Sequence, residues 1–300
     1  MFDFRKIELS DRSEVRKRLA VSDYRGCEYS FANNCAWQRL NDSEMCFYED
    51  FYLLKGISDG KPFLFFPAGV KKDDKGKKRI LALFDEMERW FAQQGHSLVV
   101  ASVTEEDLPW LKEVYGDRIS YSYDPAGSDY IYNTSDVIEL KGKKYHGKRN
   151  HIKRFMENDW SFTPITEDSI DECILFTTQF YNSHGDVQGS ASIEQYAIHL
   201  FLMNMEELGL KGGILRMDGK IVGVTIGEQL NSDTFVIHIE KAISEINGAY
   251  PMLFNQFAKM YASGLKYINR EEDMGIEGLR RSKQSYHPAF MLNKYTVRFG

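Results

Sequence analysis

The sequence has few cysteines and no long apolar run, and these absences exclude several classes of protein. Its four cysteines are Cys27, Cys35, Cys46 and Cys173, which form no C-x-x-C pair and have no histidine at ligand spacing. Thiols scattered in this way predict no zinc site and no disulfide framework, and they are typical of a reducing compartment. Residues 1–20 carry charges throughout and lack the apolar core of a signal peptide. The most apolar short run, 62–70, is too short to span a bilayer, so we expect a soluble cytoplasmic protein without stable membrane insertion.

The chain also lacks an excess of basic residues. Its 300 residues carry 38 Lys and Arg against 44 Asp and Glu, which gives a formal net charge of −6. An acidic total argues against indiscriminate nucleic-acid binding but leaves room for local basic patches. Hydrophobic residues at 43% and charged residues at 27% are normal for a globular protein, and the length allows two domains of ordinary size.

Apolar residues recur at helical spacing in five places, which predicts five amphipathic helices. One of these helices is preceded by Ser192 with Gln195 three residues later, a capping-box pattern. Stripes of this kind are more often core than function. The five segments are 80–91, 145–156, 170–181, 193–203 and 253–261.

Short runs rich in β-branched and aromatic residues predict strands. Asp218-Gly219 joins two of them and is the strongest local signal, because a two-residue hairpin turn needs a positive φ at both residues. The predicted strands are Phe63–Phe66, Leu98–Val103, Ile119–Tyr123, Trp160–Pro164, Ile214–Met217, Ile221–Glu228, Phe235–Ala242, Lys266–Asn269 and Lys294–Phe299. The turn-rich stretch 124–128 leads into the boundary, so we predict an N-terminal domain at 1–138 and a C-terminal domain at 139–300. The expected fold class is α/β (α+β), with a mixed sheet flanked by helices in each domain.

The order of elements in the second half resembles the GNAT acyltransferase fold, and several local segments resemble one particular family. These segments are Leu140–Phe155, Tyr267–Ile276, Gly278–Arg280 and Lys283–Pro288. They are similar to the family named for the C-terminal domain of phosphatidylglycerol lysyltransferase. The resemblance implies two fused GNAT-like domains, similar to those of Fem-type transferases, that move an aminoacyl group from charged tRNA to a lipid head group. Because no membrane segment is visible, we expect a soluble acceptor here.

A basic segment interrupts this acidic chain. Residues 141–154 contain seven Lys and Arg and no Asp or Glu. On the predicted helix, Lys144 lies one turn from Lys148, and Arg149 lies one turn from Lys153. Like charges at this spacing destabilise a helix, so a polyanion partner such as a tRNA acceptor stem or a phosphorylated small molecule would compensate. A solvated connector helix is the alternative. If the segment binds tRNA, reversing Lys148 and Arg149 to Glu should abolish binding without unfolding the protein.

The loop 245–251 occupies the position where acetyl-CoA enzymes of this fold hold a pyrophosphate. Backbone amides and a helix N-terminus bind phosphate there, and Gly248 permits the tight turn that this requires. Glu245 stands where the fold has a basic or amide residue, and Tyr250 fills a second small position. Since a carboxylate repels pyrophosphate, the loop disfavours coenzyme A and favours a plain helix start with, at most, a modified use of ligand.

Three side chains are candidates for the chemistry of acyl transfer, which needs a base for the acceptor and an acid for the leaving group. Glu240 ends the fourth-strand candidate of the second half, where a base can reach an acceptor amine; a surface ion pair with Lys241 is the alternative. Glu272 lies in an acidic triplet after the next strand. Tyr286 falls where the fold often places the acid, with a packed tyrosine as the alternative.

Further residues are candidates for substrate binding. Arg280 and Lys283 lie three residues apart on a predicted helix and can contact the phosphate of a donor. The candidates for acceptor binding are His184, Asp186, Glu271 and Asp273. The last two flank Glu272, so all three acids can face one cleft and hold a cationic amine; a solvated turn or an oxygen-ligated metal are the alternatives.

These observations predict an acyl or aminoacyl transferase that carries an activated group from a phosphate-bearing donor to an amine or hydroxyl acceptor. Aminoacyl-tRNA is the expected donor, ahead of acetyl-CoA, and no cofactor is required. One alternative is an acetyl-CoA-dependent N-acetyltransferase, which coenzyme A would stabilise against heat. Another is a catalytically inactive GNAT-like binding protein, in which alanine at Glu240 and Tyr286 would leave the biological role unchanged.

Overall fold

The structure is a computed structural model that describes residues 2–184 and 191–300. The helices are α1 (Arg12–Ser22), α2 (Phe31–Trp37), α3 (Asp74–Gln93), α4 (Leu108–Tyr115), α5 (Thr134–Glu139), α6 (His146–Phe155), α7 (Ile170–His184), α8 (Ala191–Met203), α9 (Met205–Leu208), α10 (Ala249–Phe257) and α11 (Glu277–Gln284). The strands are β1 (Glu44–Tyr48), β2 (Phe51–Ser58), β3 (Lys61–Phe65), β4 (Val99–Thr104), β5 (Ile119–Tyr123), β6 (Asp129–Asn133), β7 (Trp160–Pro164), β8 (Lys211–Met217), β9 (Lys220–Gln229), β10 (Thr234–Ala242), β11 (Tyr267–Asn269), β12 (Phe290–Leu292) and β13 (Lys294–Phe299). Among the described residues, no helix joins the length and the apolarity that a bilayer span requires.

The first of two compact units comprises residues 1–129, 272–277 and 291–300. Its six-stranded sheet has the order β1-β2-β3-β4-β13-β5, in which β3 and β4 run parallel and the other neighbours are antiparallel. Helix α3 covers this sheet because its apolar stripe, including Phe84 and Phe91, is fully buried in the core of the unit.

Strand β13 belongs to this first sheet although it follows the whole second unit in sequence. It pairs with β4 and β5, so that Val297 lies opposite both Val100 and Tyr121. Sequence analysis predicted the strand correctly but placed it in the C-terminal domain. Val297 and Phe299 are buried in the first core, and the compact units therefore do not follow the predicted division after residue 138.

The second unit comprises residues 130–271 and 278–290. Its seven-stranded sheet has the order β12-β6-β11-β10-β9-β8-β7. Strands β10 and β11 run parallel over three register pairs, the last of which joins Val236 and Asn269, and their pairing ends there. Helices flank both mixed sheets, which confirms the predicted fold class.

Local signals in the sequence are confirmed where they are strongest. Asp218 and Gly219 have φ values of 51° and 75° and connect β8 to β9, as the hairpin prediction requires. The basic helix is shorter than predicted, because α6 begins at His146 and a 3-10 turn precedes it. Met156 is 52% exposed and so lies outside the predicted apolar stripe.

Close packing of α6 on the start of α10 explains Gly248. A Cβ atom at this position would lie 2.3 Å from the carbonyl oxygen of His151, and the residue has a φ of 90°. The two helices share an apolar cluster that includes Phe155 and Leu253. Gly248 therefore has a structural role at this contact, and its predicted phosphate binding stays a prediction.

Candidate functional site

Two ion pairs connect β10 to the residues that follow β11. They lie beyond the last residues at which the backbones of the two strands are paired. His238 on β10 contacts Glu271, with 2.9 Å between Nδ1 and Oε1. Glu240, two residues further along β10, contacts Arg270, with 2.8 Å between Oε1 and Nη2. Both ion pairs therefore connect the two strands in the region where their backbone pairing has ended.

The Glu240–Arg270 pair is buried and incompletely satisfied. The two side chains are 10% and 8% exposed. Glu240 Oε2 and Arg270 Nη1 are both buried, and neither has a hydrogen-bond partner among the described residues. Since buried polar atoms are nearly always paired, these two atoms indicate a place where a further polar group binds.

Aromatic rings surround the Arg270 guanidinium. Its Cζ atom lies 4.3 Å from the ring centroid of Phe254, 5.3 Å from that of Tyr286 and 5.9 Å from that of Tyr132. Such contacts stabilise a cation that has left water. Tyr286 is only 4% exposed, and burial raises the pKa of its hydroxyl well above the ordinary value. The hydroxyl therefore stays protonated at physiological pH and can act only as a proton donor or a neutral acceptor.

Lys148 on α6 completes the group. Its Nζ lies 4.0 Å from the Tyr286 ring centroid and donates a hydrogen bond to Ser285 Oγ at 2.7 Å. Burial and the positive charge of Arg270 together lower the pKa of Lys148 to about 8, although Glu240 acts in the opposite direction. We call Lys148, Glu240, Arg270 and Tyr286 the Arg270 cluster. It brings together two predicted catalytic residues, one predicted phosphate-binding residue and one arginine that sequence analysis missed.

We expect Lys148 to titrate near pH 8, because burial and the nearby charge of Arg270 disfavour its protonated form. The measurement is NMR of protein carrying isotope-labelled lysine, with Lys148→Arg to assign the signal. Glu240→Gln should shift the Lys148 titration to lower pH, because the carboxylate favours the charged amine. A Lys148 signal that titrates near the ordinary lysine value of about 10.4 would contradict the placement of Lys148.

Some of the remaining basic residues of 141–154 make contacts within the protein, and others are exposed to solvent. Lys144 lies 3.5 Å from Asp136, and Arg149 donates to the backbone carbonyls of Leu140 and Gly142. Lys153 is exposed. Reversing Lys148 and Arg149 to Glu would therefore damage the fold, which corrects the expectation that this change leaves the protein folded.

Lys283 and Arg280 lie three residues apart on α11, as the sequence analysis predicted. The Lys283 ammonium is buried and donates to the carbonyl oxygen of Arg270 at 2.5 Å. This contact fixes the backbone that carries Arg270, which gives Lys283 a structural role. Phosphate binding by Lys283 and by the half-buried Arg280 stays a prediction.

The three acids of the triplet have different partners. Glu271 contacts His238 in the second unit. In the first unit, Glu272 Oε2 lies 3.1 Å from Cys27 Sγ, and Asp273 Oδ1 accepts from the amide of Gly275. The shared role of these acids in holding an amine stays a prediction.

His238 is a buried charged residue that sequence analysis missed. It lies at a β-bulge between Ile237 and Ile239, and its ring stacks on Phe201 with 5.5 Å between centroids. Burial alone would lower the pKa of His238, but hydrogen bonds to Glu228 and Glu271 outweigh it and raise the pKa to about 9. A histidine within an otherwise apolar strand was the signal that could have identified it.

Two predicted acceptor-binding residues cannot be placed. Asp186 lies outside the described residues, and so does the side chain of His184. Their proposed role therefore stays a prediction.

Comparison with known proteins identifies relatives over the whole chain. A family model described as phosphatidylglycerol lysyltransferase, C-terminal, matches residues 19–298. A crystal structure of a conserved protein of unknown function from Bacteroides thetaiotaomicron is 37% identical, covers 100% of both chains and has a TM-score of 0.93. An uncharacterised protein of Mycoplasmoides gallisepticum is 23% identical over 212 residues, which span 67% of this chain and 65% of that protein, less than two thirds of its length.

More distant solved structures share the fold. L-PGS from Bacillus licheniformis is 16% identical with a TM-score of 0.64, over 96% of this chain and 92% of that one. A tandem GNAT protein from the clavulanic acid biosynthesis pathway is 10% identical with a TM-score of 0.52, over 100% of this chain and 99% of that one. FemX is 7% identical with a TM-score of 0.65, over 98% of this chain and 96% of that one. At these identities the likeness shows a tandem GNAT-like fold.

Proposed function

Because the chain belongs to the family of the phosphatidylglycerol lysyltransferase C-terminal domain, we propose that it transfers an activated acyl or aminoacyl group from a phosphate-bearing donor to an amine or hydroxyl acceptor. The reaction centre of this proposal is the Arg270 cluster in the second unit. The tandem GNAT-like fold shared with L-PGS and FemX supports a transferase, while the donor and the acceptor of this chain are proposals.

One observation carries the proposal: a buried carboxylate oxygen and a buried guanidinium nitrogen that lack hydrogen-bond partners in the same ion pair. Acyl transfer needs an acceptor for the proton of the attacking group and a donor for the oxyanion. Glu240 Oε2 supplies the first and Arg270 Nη1 supplies the second. Their low exposure makes both interactions stronger than they would be in water.

The leaving group of the donor needs a proton, and two neighbours can supply it. Lys148 has a pKa of about 8, so near neutral pH its ammonium releases a proton more readily than an ordinary lysine. The Tyr286 hydroxyl, which burial keeps protonated, can donate instead. Sequence analysis proposed Tyr286 alone for this role, and the structure adds Lys148 as its neighbour.

Three features of the second unit weigh against coenzyme A as the donor. Glu245 is exposed in the loop before α10, where it would repel a pyrophosphate. Gly248 in the same loop serves the packing of α6. The ion pairs of His238 and Glu240 cross the region beyond the last β10–β11 pair, where a pantetheine arm would have to enter between the strands. These features favour aminoacyl-tRNA or another phosphorylated donor.

Exposed cations on α6 support a polyanionic donor. Lys153 and Arg154 on α6, together with Lys143 in the 3-10 turn before it, are exposed and make no ion pair with any described residue. Lys153→Gln with Arg154→Gln should weaken binding of charged tRNA and lower the slope of log affinity against log salt by about 2, roughly one per lost phosphate contact. Fluorescence anisotropy at several salt concentrations measures both effects. The matched control is Lys211→Gln with Lys220→Gln, two exposed lysines on β8 and β9; equal losses in both variants would reject a specific site on α6.

A transfer assay tests the proposed function directly. Charged tRNA carrying a labelled aminoacyl group is offered with a panel of amine and hydroxyl acceptors, and labelled acetyl-CoA is offered in a parallel reaction. Glu240→Gln, which keeps an oxygen for Arg270, should lower the rate by roughly 100- to 10,000-fold with the fold retained by circular dichroism. Tyr286→Phe should lower it less, because Lys148 remains. The control is Glu157→Gln, an exposed acid in the turn after α6.

The outcomes of this assay separate the three readings of the chain. Transfer from tRNA that depends on Glu240 supports the proposal. Transfer from acetyl-CoA would make the protein an N-acetyltransferase. A wild-type protein that binds charged tRNA but transfers nothing to any acceptor would favour the inactive binding protein.

A further inference from the structure

A second polar cluster lies in the first unit, and it is independent of the proposed transfer reaction. It joins Cys27 in the 3-10 turn before α2, Asp129 at the start of β6 and Glu272 after β11. One donor atom from each lies within 4.8 Å of the others. Cys27 Sγ is 3.1 Å from Glu272 Oε2 and 3.4 Å from Asp129 Oδ1. We call these three residues the Cys27 cluster.

The distances in the Cys27 cluster are close to those of a tetrahedral metal site. Zinc takes thiolate at about 2.3 Å and carboxylate oxygen at about 2.0 Å, which places sulfur and oxygen about 3.5 Å apart along a tetrahedral edge. The two measured sulfur–oxygen distances need only small adjustments to reach this value. The backbone amide of Cys27 also donates to the other carboxylate oxygen of Asp129 at 2.9 Å, which orients that carboxylate as outer-shell contacts in metal sites do.

Lys294 on β13 supplies a positive charge at this cluster. Its Nζ lies 2.6 Å from Asp129 Oδ1, 2.8 Å from Glu28 Oε2 and 3.5 Å from Cys27 Sγ. The Lys294 side chain is only 12% exposed, so its ammonium is held by these carboxylates rather than by water. Because the ammonium has two carboxylate partners, it can stay paired with Glu28 when Asp129 turns to another cation.

Glu28 and an adjoining cavity supply the second indication of a ligand. The Glu28 side chain is 7% exposed, and its Oε1 atom is buried without a hydrogen-bond partner. It lines a cavity of about 310 Å³ together with Cys27, Glu272 and Lys294. Ser102 also lines this cavity and has a φ of 59°, a strained conformation for a residue other than glycine. A buried acid without a full set of partners beside an accessible cavity indicates a bound cation.

We infer that the Cys27 cluster binds a zinc-class divalent cation, with Cys27 Sγ and one carboxylate oxygen each of Asp129 and Glu272 as protein ligands. Three ligands leave a fourth position that opens to the cavity. Binding breaks the S–H bond of Cys27, releases its proton to solvent and forms the metal–sulfur bond. A thiolate among the ligands selects zinc or cobalt over magnesium and calcium, which require oxygen.

Sequence analysis predicted no zinc site, because it searched for cysteine and histidine at short spacing. Asp129 and Glu272 lie 102 and 245 residues after Cys27 in the chain, and the fold alone brings the three side chains together. The oxygen-ligated metal considered for the triplet 271–273 is a different arrangement, since here only Glu272 of that triplet contributes.

The test is a titration of the full chain with Co²⁺, followed by competition with Zn²⁺. Co²⁺ should produce a thiolate-to-cobalt charge-transfer absorption in the near ultraviolet with one ion per chain, and Zn²⁺ should abolish it. Cys27→Ala should remove this absorption and weaken Zn²⁺ binding by at least the roughly 10- to 100-fold that loss of an outer-shell partner costs. Cys46→Ala, which removes another buried cysteine of the same unit, should change neither.

Lys294→Met should change the affinity for Zn²⁺ in the opposite direction to Cys27→Ala. Removing the competing ammonium should strengthen Zn²⁺ binding by on the order of tenfold or more, since a unit charge a few ångströms away repels the metal. If this variant is unstable because Asp129 and Glu28 lose their cation, Zn²⁺ should raise its melting temperature more than it raises that of the wild type.

Three results would overturn the inference. The first is a wild-type protein that gives no cobalt–thiolate absorption. The second is an absorption that survives Cys27→Ala and is lost with Cys46→Ala. The third is a Lys294→Met variant that binds Zn²⁺ more weakly than the wild type, which would make Lys294 a structural counter-ion only. None of these readouts depends on transfer activity, so the two proposals can fail separately.

Discussion

Replacing Arg270 with methionine should lower the free energy of unfolding by about 3–5 kcal/mol, as expected when one partner of a buried ion pair is removed. Methionine fills a similar volume among Phe254, Tyr286 and Tyr132, so the aromatic contacts survive in part. What is lost is the charge that compensates Glu240, whose side chain is 10% exposed and has no other described hydrogen-bond partner. Urea denaturation at pH 7 measures the change, provided that the slope with denaturant stays constant.

A control and a double variant show whether burial is the cause. Arg216→Met removes the ion pair with Glu172, in which the acid is 48% exposed, and should cost at most about 1 kcal/mol. Arg270→Met combined with Glu240→Leu should recover most of the lost stability, because no uncompensated charge remains. Two results would contradict the burial of the Arg270 cluster. One is an equal loss of unfolding free energy in Arg270→Met and Arg216→Met, and the other is a double variant that is no more stable than Arg270→Met.

The unfolding free energy should fall by on the order of 3 kcal/mol between pH 6.5 and pH 9 because of His238. In the folded protein, the carboxylates of Glu228 and Glu271 raise the pKa of His238 to about 9, whereas an unfolded histidine titrates near 6.5. A raised pKa means that the folded state holds the proton more tightly. The contribution is therefore fully present below about pH 6.5 and disappears as the pH rises through 9.

Lys148 acts in the opposite direction over a higher range. Its folded pKa of about 8 lies below the unfolded value, so the folded state releases a proton first and stability rises with pH from about 8 upward. Urea denaturation at closely spaced pH values should therefore show an unfolding free energy that falls with pH and then levels off, where the titrations of His238 and Lys148 overlap. His238→Gln should remove the fall in unfolding free energy. Lys148→Met should remove the levelling of that profile at higher pH. A wild-type profile that is flat from pH 6.5 to 9, or a His238→Gln profile that still falls, would contradict the assignment.

Local parts of the fold were predictable because their signals are local. The Asp218-Gly219 turn demands an unusual backbone conformation and therefore defines its hairpin by itself. Helix α3 was predictable over residues 80–91 from its long apolar stripe, whereas its first turns, which follow the capping residue Asp73, were not predicted. Strand β13 was predicted as a strand for the same reason. Its sheet could not be predicted, because the choice between two sheets depends on long-range packing that no short window of sequence contains.

The site was predictable only in part, and the reason is burial. Glu240 and Tyr286 were identified by their places in the order of elements, which the fold preserves. Arg270 was overlooked because it stood beside three acids and looked like a member of a solvated turn. Lys148 was predicted to contact a polyanionic donor, with a solvated helix as the alternative, because helical periodicity shows which residues share a face but not what covers that face. Only the packed structure reveals that its amine lies over Tyr286 and near a buried ion pair.

The place of β13 between β4 and β5 has a consequence for how the protein is made. Ser122 on β5 and Arg298 on β13 are 176 residues apart, and they touch in the finished sheet. At roughly 5–20 residues per second, a ribosome needs roughly 10–35 s to bridge that interval. During this time β4 and β5 have left the exit tunnel without the strand that joins them, with their hydrogen-bonding edges open to other nascent chains. The sheet of the unit that is translated first is therefore completed only when the last strand of the chain, β13, has been synthesised.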